Sequence, residues 1–162
     1  MAQFVLPLEN RPALGREDFV TGPGNAEAVK FIDSYPDWPA PAAALYGPAG
    51  SGKSHLAAAW AAHAKAQIVE ASALDQSVLH NPPAAIVIEN VDEQPYDSAR
   101  DAALFALLES GRHVLLTGRT EPSQWRGQSS RSHLPLSCVA FIPTMGAGRY
   151  SSSGDCAQAL LG

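Results

Sequence analysis

The sequence is poor in several residue types, and each shortage excludes a class of protein. Cysteine occurs only twice, at Cys138 and Cys156, which gives neither a disulfide framework nor a recognisable metal or redox spacing. No apolar run is long enough to span a membrane, and residues 1–15 lack the layout of a signal peptide, so a cytoplasmic, reduced location is expected. Positive charge is scarce too, because 11 Lys and Arg face 16 Asp and Glu. The net charge of −5 therefore does not suggest direct binding to nucleic acid.

The alternation of short apolar runs with alanine-rich stretches predicts an α/β protein whose parallel sheet is flanked by helices. The run AIVIE at 85–89 is the clearest strand, because it is apolar on both faces, as a parallel strand buried on both sides must be. A chain of 162 residues is long enough for one domain with its own core. The predicted strands lie at 42–46, 67–71, 85–89 and 113–118. The predicted helices lie within 22–36, with Asn25 near the start and Pro36 as the stop, and at about 53–64 and 97–111.

The segment GPAGSGKS at 47–54 has the full pattern of a phosphate-binding loop (P-loop). Its glycines let backbone N–H groups point toward phosphate oxygens, and the positive end of the following helix adds to that attraction. Lys53 would bring a mobile positive charge to the β- and γ-phosphates, and the Ser54 hydroxyl can ligate Mg²⁺. A strand before the loop and a helix after it favour this interpretation over a chance glycine-rich turn. The predicted cofactor-binding residues here are Gly47, Pro48, Ala49, Gly50, Ser51, Gly52, Lys53, Ser54 and His55.

A carboxylate is expected beside the P-loop, at the carboxyl end of the strand at 85–89. Glu89 occupies this strand end, and we predict that it binds Mg²⁺ together with Ser54. The next residue is Asn90, where a second acid would be usual, and a neutral amide cannot take a proton from an attacking water. With Glu89 and Asn90 at the catalytic positions, we expect weak or absent hydrolysis by this chain alone. Simple strand-end polarity is the alternative interpretation of these two residues.

Beyond the P-loop, the sequence resembles a known family. Four segments occur in the order and spacing of DnaA-type AAA+ ATPases, namely FVTGPGNAEA (19–28), GPAGSGKSHLAAAW (47–60), IVIENVDE (86–93) and LLTGRTEPSQW (115–125). More narrowly, the chain resembles the short Hda-like relatives of DnaA, which consist of an AAA+ module without the DNA-binding domain. The resemblance covers residues 1–125 and implies a P-loop fold of the AAA+ type that binds ATP or ADP with Mg²⁺.

The resemblance also implies roles for residues outside the P-loop. Phe19, Val20 and the segment from Gly22 to Asn25 would lie near the adenine base. Thr117 matches the first sensor position, which in such enzymes responds to the γ-phosphate. An ordinary strand-end hydroxyl is an equally good interpretation of Thr117.

Residues 1–10 resemble the N-terminal peptide with which Hda-like proteins dock on the DNA polymerase sliding clamp. The family pattern is a glutamine followed by apolar residues and Leu-Pro-Leu, which Gln3, Phe4, Leu6 and Leu8 match. A glutamine offers both a donor and an acceptor to a polar site, while leucines can enter an apolar pocket. A terminal strand that packs on the domain itself is the alternative.

The character of the chain changes after Trp125, so we divide it into the peptide at 1–10, a nucleotide-binding core at 11–125 and a tail at 126–162. The tail carries seven serines and five glycines but only one acidic residue. Its one strand-like run is CVAFI at 138–142, expected as a fifth strand beside the strand at 42–46. Arg131 lies near the place of the family's arginine that acts in trans, whereas the family's C-terminal helical lid is expected to be absent.

The abrupt change of composition motivates the hypothesis that the tail arises from a frameshift. Translating the gene in all frames tests it, because the lack of a family-like continuation in every other frame would refute it.

The resemblance predicts a regulator of replication initiation with two protein partners, the sliding clamp and DnaA. Such a protein docks on the clamp and promotes hydrolysis of the ATP that DnaA holds, which prevents a second initiation. Two alternatives stay open: a catalytically inert nucleotide-binding adaptor, which Asn90 favours, and a small P-loop kinase, which would leave the terminal peptide unexplained.

Overall fold

A five-stranded parallel sheet forms the centre of the structure, a computed structural model that describes residues 21–93, 97–125 and 139–144. The strand order is β2-β3-β4-β1-β5, and every adjacent pair is parallel. This arrangement confirms the predicted fold class. The strands are β1 (Ala42–Tyr46), β2 (Gln67–Glu70), β3 (Ala85–Glu89), β4 (His113–Gly118) and β5 (Val139–Pro143).

Three α-helices accompany these strands in the described ranges: α1 (Ala26–Asp33), α2 (Lys53–Ala64) and α3 (Ser98–Glu109). The side chain of Asp97 accepts a hydrogen bond from the backbone N–H of Arg100 and so caps the start of α3. Gly111, just beyond α3, has a φ of 73°, a left-handed conformation that suits glycine. None of these helices has the length and apolar character needed to cross a membrane.

Helix α1 begins directly after Asn25, as predicted, but ends at Asp33, before the predicted stop at Pro36. Asn25 donates its backbone N–H to the carbonyl of Gly22 and closes a turn before the helix begins. At the other end, the Ser34 hydroxyl donates to the carbonyl of Phe31, where it competes with continuation of the helix.

Strands β1, β3 and β4 are buried on both faces of the sheet, which explains their apolar composition, whereas β2 at the edge is largely exposed. On one face, side chains of β1, β3 and β4 pack with Leu56 and Trp60 of α2 and with Ile32 of α1. On the other face, alternate residues of the same strands pack with Leu104 and Leu107 of α3. The strand AIVIE contributes to both cores, as its lack of polar alternation predicted.

Strand β5 comes from the tail and runs from Val139 to Pro143, one residue further along than the segment 138–142. It pairs with β1 from Ala42 opposite Val139 to Tyr46 opposite Pro143. The next residue, Thr144, is thereby brought to the end of β1, where the P-loop begins. Gln3, Phe4, Leu6, Leu8 and Arg131 lie outside the described residues, so their predicted roles stay predictions.

Candidate functional site

The carboxyl ends of β1, β3 and β4 meet at one edge of the sheet, where the P-loop, Glu89, Asn90 and Thr117 lie. The P-loop leaves the end of β1 and leads directly into α2. The backbone N–H of Gly47 donates to the carbonyl of Gly118 at the end of β4, 3.3 Å away. Glu89 ends β3 on the far side of β4. Parallel pairing therefore collects the loop, the strand-end carboxylate and the end of β4 in one place.

The P-loop is exposed along its outer side, where Pro48, Ala49 and Gly50 face solvent. All three glycines of the loop have a positive φ, a conformation that favours glycine. Gly52 has a φ of 86°, and Gly47 has a φ of 156° with no room for a side chain, because an added Cβ would collide with Oγ1 of Thr144. The loop is thus held in a conformation that keeps its outer backbone accessible to a phosphate group.

Lys53 reaches back over the loop rather than out into solvent. Its Nζ donates to the carbonyls of Gly47 (2.7 Å) and Pro48 (2.8 Å) and to Oγ of Ser51 (3.2 Å), and the residue is only 8% exposed. Burial lowers the pKa of Lys53, and the charge of Arg119 lowers this pKa further, whereas Asp92 opposes the shift. The ammonium group therefore lies at the loop, where phosphate oxygens would replace its carbonyl partners.

Ser54 and Glu89 provide a donor set that fits Mg²⁺. Ser54 is exposed at the start of α2, and Glu89 is half-buried at the end of β3. Mg²⁺ in nucleotide sites takes one or two protein oxygens, and phosphates and water supply the rest. Within the described ranges, no three His, Cys, Asp or Glu side chains gather into a metal cluster. A nucleotide-dependent metal fits this arrangement better than a metal held by protein ligands alone.

Asn90 adopts a left-handed backbone with a φ of 58° and turns its amide toward strand β2. Its Nδ2 donates to Oε1 and Oε2 of Glu70, at 3.2 and 3.0 Å. Glu70 and Glu89 are opposite each other in the β2–β3 register. The neutral Asn90 amide therefore donates hydrogen bonds to the neighbouring carboxylate of Glu70, which an acidic residue at position 90 could not do when ionised.

Thr117 is buried, with 1% exposure, and its Oγ1 accepts the backbone N–H of Asn90 at 3.2 Å. The carbonyl of Thr117 also accepts the N–H of Val91, at 2.9 Å. The residue thus ties the ends of β3 and β4 together. The hydroxyl hydrogen can still be donated, and a role as a γ-phosphate sensor stays a prediction.

The segment from Gly22 to Asn25 forms the turn before α1. Oδ1 of Asn25 accepts the N–H of Gly22 at 2.7 Å, so the asparagine side chain stabilises this turn. Phe19 and Val20, the other residues expected near adenine, lie outside the described residues. His55 is half-buried in the first turn of α2.

Asp92 and Arg119 belong to the same edge of the sheet, although they were not among the predicted site residues. Oδ2 of Asp92 accepts three hydrogen bonds: from the N–H groups of Arg119 (2.9 Å) and Thr120 (2.8 Å) and from Oγ1 of Thr120 (2.8 Å). The Arg119 guanidinium forms an ion pair with Glu93, with 3.3 Å between Nη2 and Oε1. The sequence signal was the acidic pair Asp92–Glu93, three and four residues after Glu89, which was not considered when Glu89 and Asn90 were assigned.

Thr144 is a second site residue that sequence reasoning missed. Its Oγ1 lies 2.8 Å from Oγ of Ser51 in the P-loop and donates to the carbonyl of Tyr46 at 3.0 Å. Both hydroxyl-bearing residues are buried. The contact joins positions 93 residues apart, and no local pattern could have indicated it.

Comparison with solved structures shows the same fold in the replication initiator DnaA. AMPPCP-bound DnaA from Aquifex aeolicus matches with a TM-score of 0.64 and 18% identity, over 81% of this chain and 50% of that one. DnaA bound to AMPPCP and single-stranded DNA matches with a TM-score of 0.67 and 16% identity, over 85% and 51%. Domain III of Thermotoga maritima DnaA matches with a TM-score of 0.56 and 18% identity, over 81% and 67%. Neither a protein-family profile nor a curated protein matches the sequence.

These observations define the fold class. The chain has the fold of DnaA, an α/β domain whose P-loop segment lies at the carboxyl edge of a parallel sheet. It spans about half the length of the first two DnaA structures that it matches. At this level of identity the likeness establishes the fold alone.

Proposed function

We propose that this chain is a nucleotide-binding regulator of replication initiation of the Hda-like type, which acts in the cytoplasm. The observation that carries the proposal is the P-loop with Lys53 above it and Glu89 at the same sheet edge, within a DnaA-like fold. Two of the DnaA structures that share this fold are bound to AMPPCP, an analogue of ATP. ATP or ADP is therefore the nucleotide that we assign to this loop.

Each residue of the site has a definable task toward that nucleotide. Backbone N–H groups of the P-loop and the ammonium of Lys53 bind the phosphates, and the start of α2 directs its positive dipole end to the same place. Ser54 and Glu89 would hold Mg²⁺, which neutralises phosphate charge when it is bound. Asn90 cannot accept a proton from water, so we expect the chain to bind nucleotide well and hydrolyse it slowly.

The proposed partners are the sliding clamp and DnaA. The clamp assignment rests on the terminal sequence, where Gln3, Phe4, Leu6 and Leu8 match the docking pattern of Hda-like proteins. Docking on a ring-shaped clamp would hold the AAA+ domain near DNA, so the domain would need no basic surface for DNA binding. A net charge of −5 agrees with this arrangement. Arg131 is proposed to act in trans on the nucleotide of DnaA.

Calorimetry of the full chain with ADP tests the nucleotide site. Lys53→Ala should abolish binding, because charge-assisted contacts contribute about 1.5–3 kcal/mol each and Lys53 makes several of them with phosphate. Lys30→Ala is the matched control, since Lys30 is exposed on α1. If Lys53→Ala binds ADP within twofold of the wild type, the loop does not hold phosphates.

A further inference from the structure

Arg119 begins at the edge of the P-loop. It follows Gly118, the last residue of β4, whose carbonyl accepts the N–H of Gly47. Neighbouring strands of a sheet lie about 4.8 Å apart. The backbone of Arg119 is therefore one strand to the side of the loop, toward Glu89, and its long side chain can reach the space between them.

The backbone of Arg119 is held by the turn in which it lies. Oδ2 of Asp92 fixes the N–H groups of Arg119 and Thr120, and the Trp125 indole donates to the carbonyl of Thr120 at 3.0 Å. The Trp125 ring also lies so close to Gly118 that a Cβ there would come within 2.5 Å of it. This turn presents Arg119 in one orientation, which reduces the ordering cost of any contact that Arg119 makes.

The side chain of Arg119 is, by contrast, weakly held. It is 59% exposed, and its ion pair with Glu93, which is 46% exposed, is of the solvated kind that contributes little to stability. A guanidinium forms stronger, bidentate hydrogen bonds with phosphate oxygens. A phosphate group that arrives near Arg119 would therefore displace Glu93.

Arg119 and Lys53 are two cations at the same edge of the sheet. Lys53 binds the carbonyls of the loop, and Arg119 follows the strand end that accepts the N–H of Gly47. A polyphosphate bound at the loop would interact favourably with both cations.

We propose that Arg119 binds the γ-phosphate of a nucleoside triphosphate held by its own chain, exchanging Glu93 for that phosphate. The inference rests on the proposed function and adds a specificity to it. The P-loop backbone surrounds the α- and β-phosphates, and Lys53 reaches the β- and γ-phosphates. Arg119 lies on the side of Glu89, which would help to hold Mg²⁺ at the phosphates. The site then prefers triphosphate to diphosphate.

Calorimetry of the full chain with AMPPCP and with ADP, both with Mg²⁺, tests this inference. Arg119→Gln should lower affinity for AMPPCP about tenfold to a hundredfold, the loss expected for a charge-assisted contact, and change ADP affinity less than twofold. Glu93→Gln removes the competing carboxylate and should raise AMPPCP affinity about twofold to fivefold. Arg112→Gln is the matched control, because Arg112 binds the carbonyl of Pro83 at the opposite end of β4.

Each outcome decides between the inference and its alternatives. Equal losses for AMPPCP and ADP in Arg119→Gln would show that Arg119 contacts a phosphate common to both, which overturns the proposed specificity. Unchanged affinities would show that Arg119 does not touch the nucleotide and would leave the nucleotide site intact. If the wild type binds neither nucleotide, the proposed function itself is wrong, and the inference falls with it.

Discussion

Asn90 allows a test of why this chain should hydrolyse ATP slowly. In the wild type, the Asn90 amide donates to both carboxylate oxygens of Glu70, at 3.2 and 3.0 Å. Asn90→Asp replaces this amide with a carboxylate, so both hydrogen bonds are lost and two negative charges face each other at about the same distance. Two charges 4 Å apart in water repel by about 1 kcal/mol, and each lost hydrogen bond costs a similar amount. We therefore expect the free energy of unfolding to fall by about 1–3 kcal/mol. Asp tolerates the left-handed backbone of position 90, so that conformation adds little to the cost.

The second variant, Asn90→Asp with Glu70→Gln, separates electrostatic repulsion from the missing base. In this double variant the glutamine amide can donate to the new carboxylate. The free energy of unfolding, measured by denaturant unfolding, should therefore return to within about 1 kcal/mol of the wild-type value. With a carboxylate restored beside Glu89, ATP turnover should rise about a hundredfold, the low end of what a general base contributes. Glu70→Gln alone is the control.

Two results would refute this reasoning. If Asn90→Asp unfolds at the same denaturant concentration as the wild type, the contact with Glu70 contributes nothing. If the double variant is stable but its turnover is unchanged, the absence of a base at position 90 does not limit hydrolysis.

Two further substitutions test the loop and the terminus. Gly47→Ala should lower the free energy of unfolding by about 1–3 kcal/mol and weaken ADP binding, because the added Cβ collides with Thr144. Gly22→Ala is the stability control, since nothing lies within 4 Å of the Cβ that it adds. Equal melting temperatures of the two variants would contradict the steric argument. Replacing Gln3, Leu6 and Leu8 with Ala should abolish clamp binding in a pull-down and leave Tm nearly unchanged. If the terminus is instead a core strand, losing two leucines should cost roughly 4–10 kcal/mol, so a collapsed Tm or retained clamp binding would contradict the docking proposal.

Local features of the sequence predicted much of the fold. The strand at 85–89 was readable because its apolar residues cover both faces, and α2 was readable because the P-loop fixes its start at Lys53. The start of α1 was correctly placed near Asn25, but its end was placed too late, since the Ser34 hydroxyl donates to the carbonyl of Phe31 and favours a turn over helix there. A side-chain hydrogen bond of this kind competes with continuation of a helix.

The electrostatics of the site could not be read in the same way. Asp92 contacts the turn at Arg119 across 27 residues of sequence, and that contact exists only because β3 and β4 are neighbours in the sheet. From the sequence, Asn90 was interpreted only as a missing second acid. Its hydrogen bonds with Glu70 depend on the pairing of β2 with β3, which the sequence does not show. Residue type and spacing identify a P-loop, but the register between strands decides which charges surround it.

The contact between Ser51 and Thr144 also bears on how the protein is made. During synthesis, the P-loop and α2 emerge from the ribosome well before β5. Until Thr144 is available, the carbonyl of Tyr46 lacks both of its donors from Thr144, and β1 is left at the edge of the growing sheet. The P-loop segment is therefore completed by β5, the last of the described strands to be translated, and a nascent chain that stops before β5 carries the P-loop sequence without its full support.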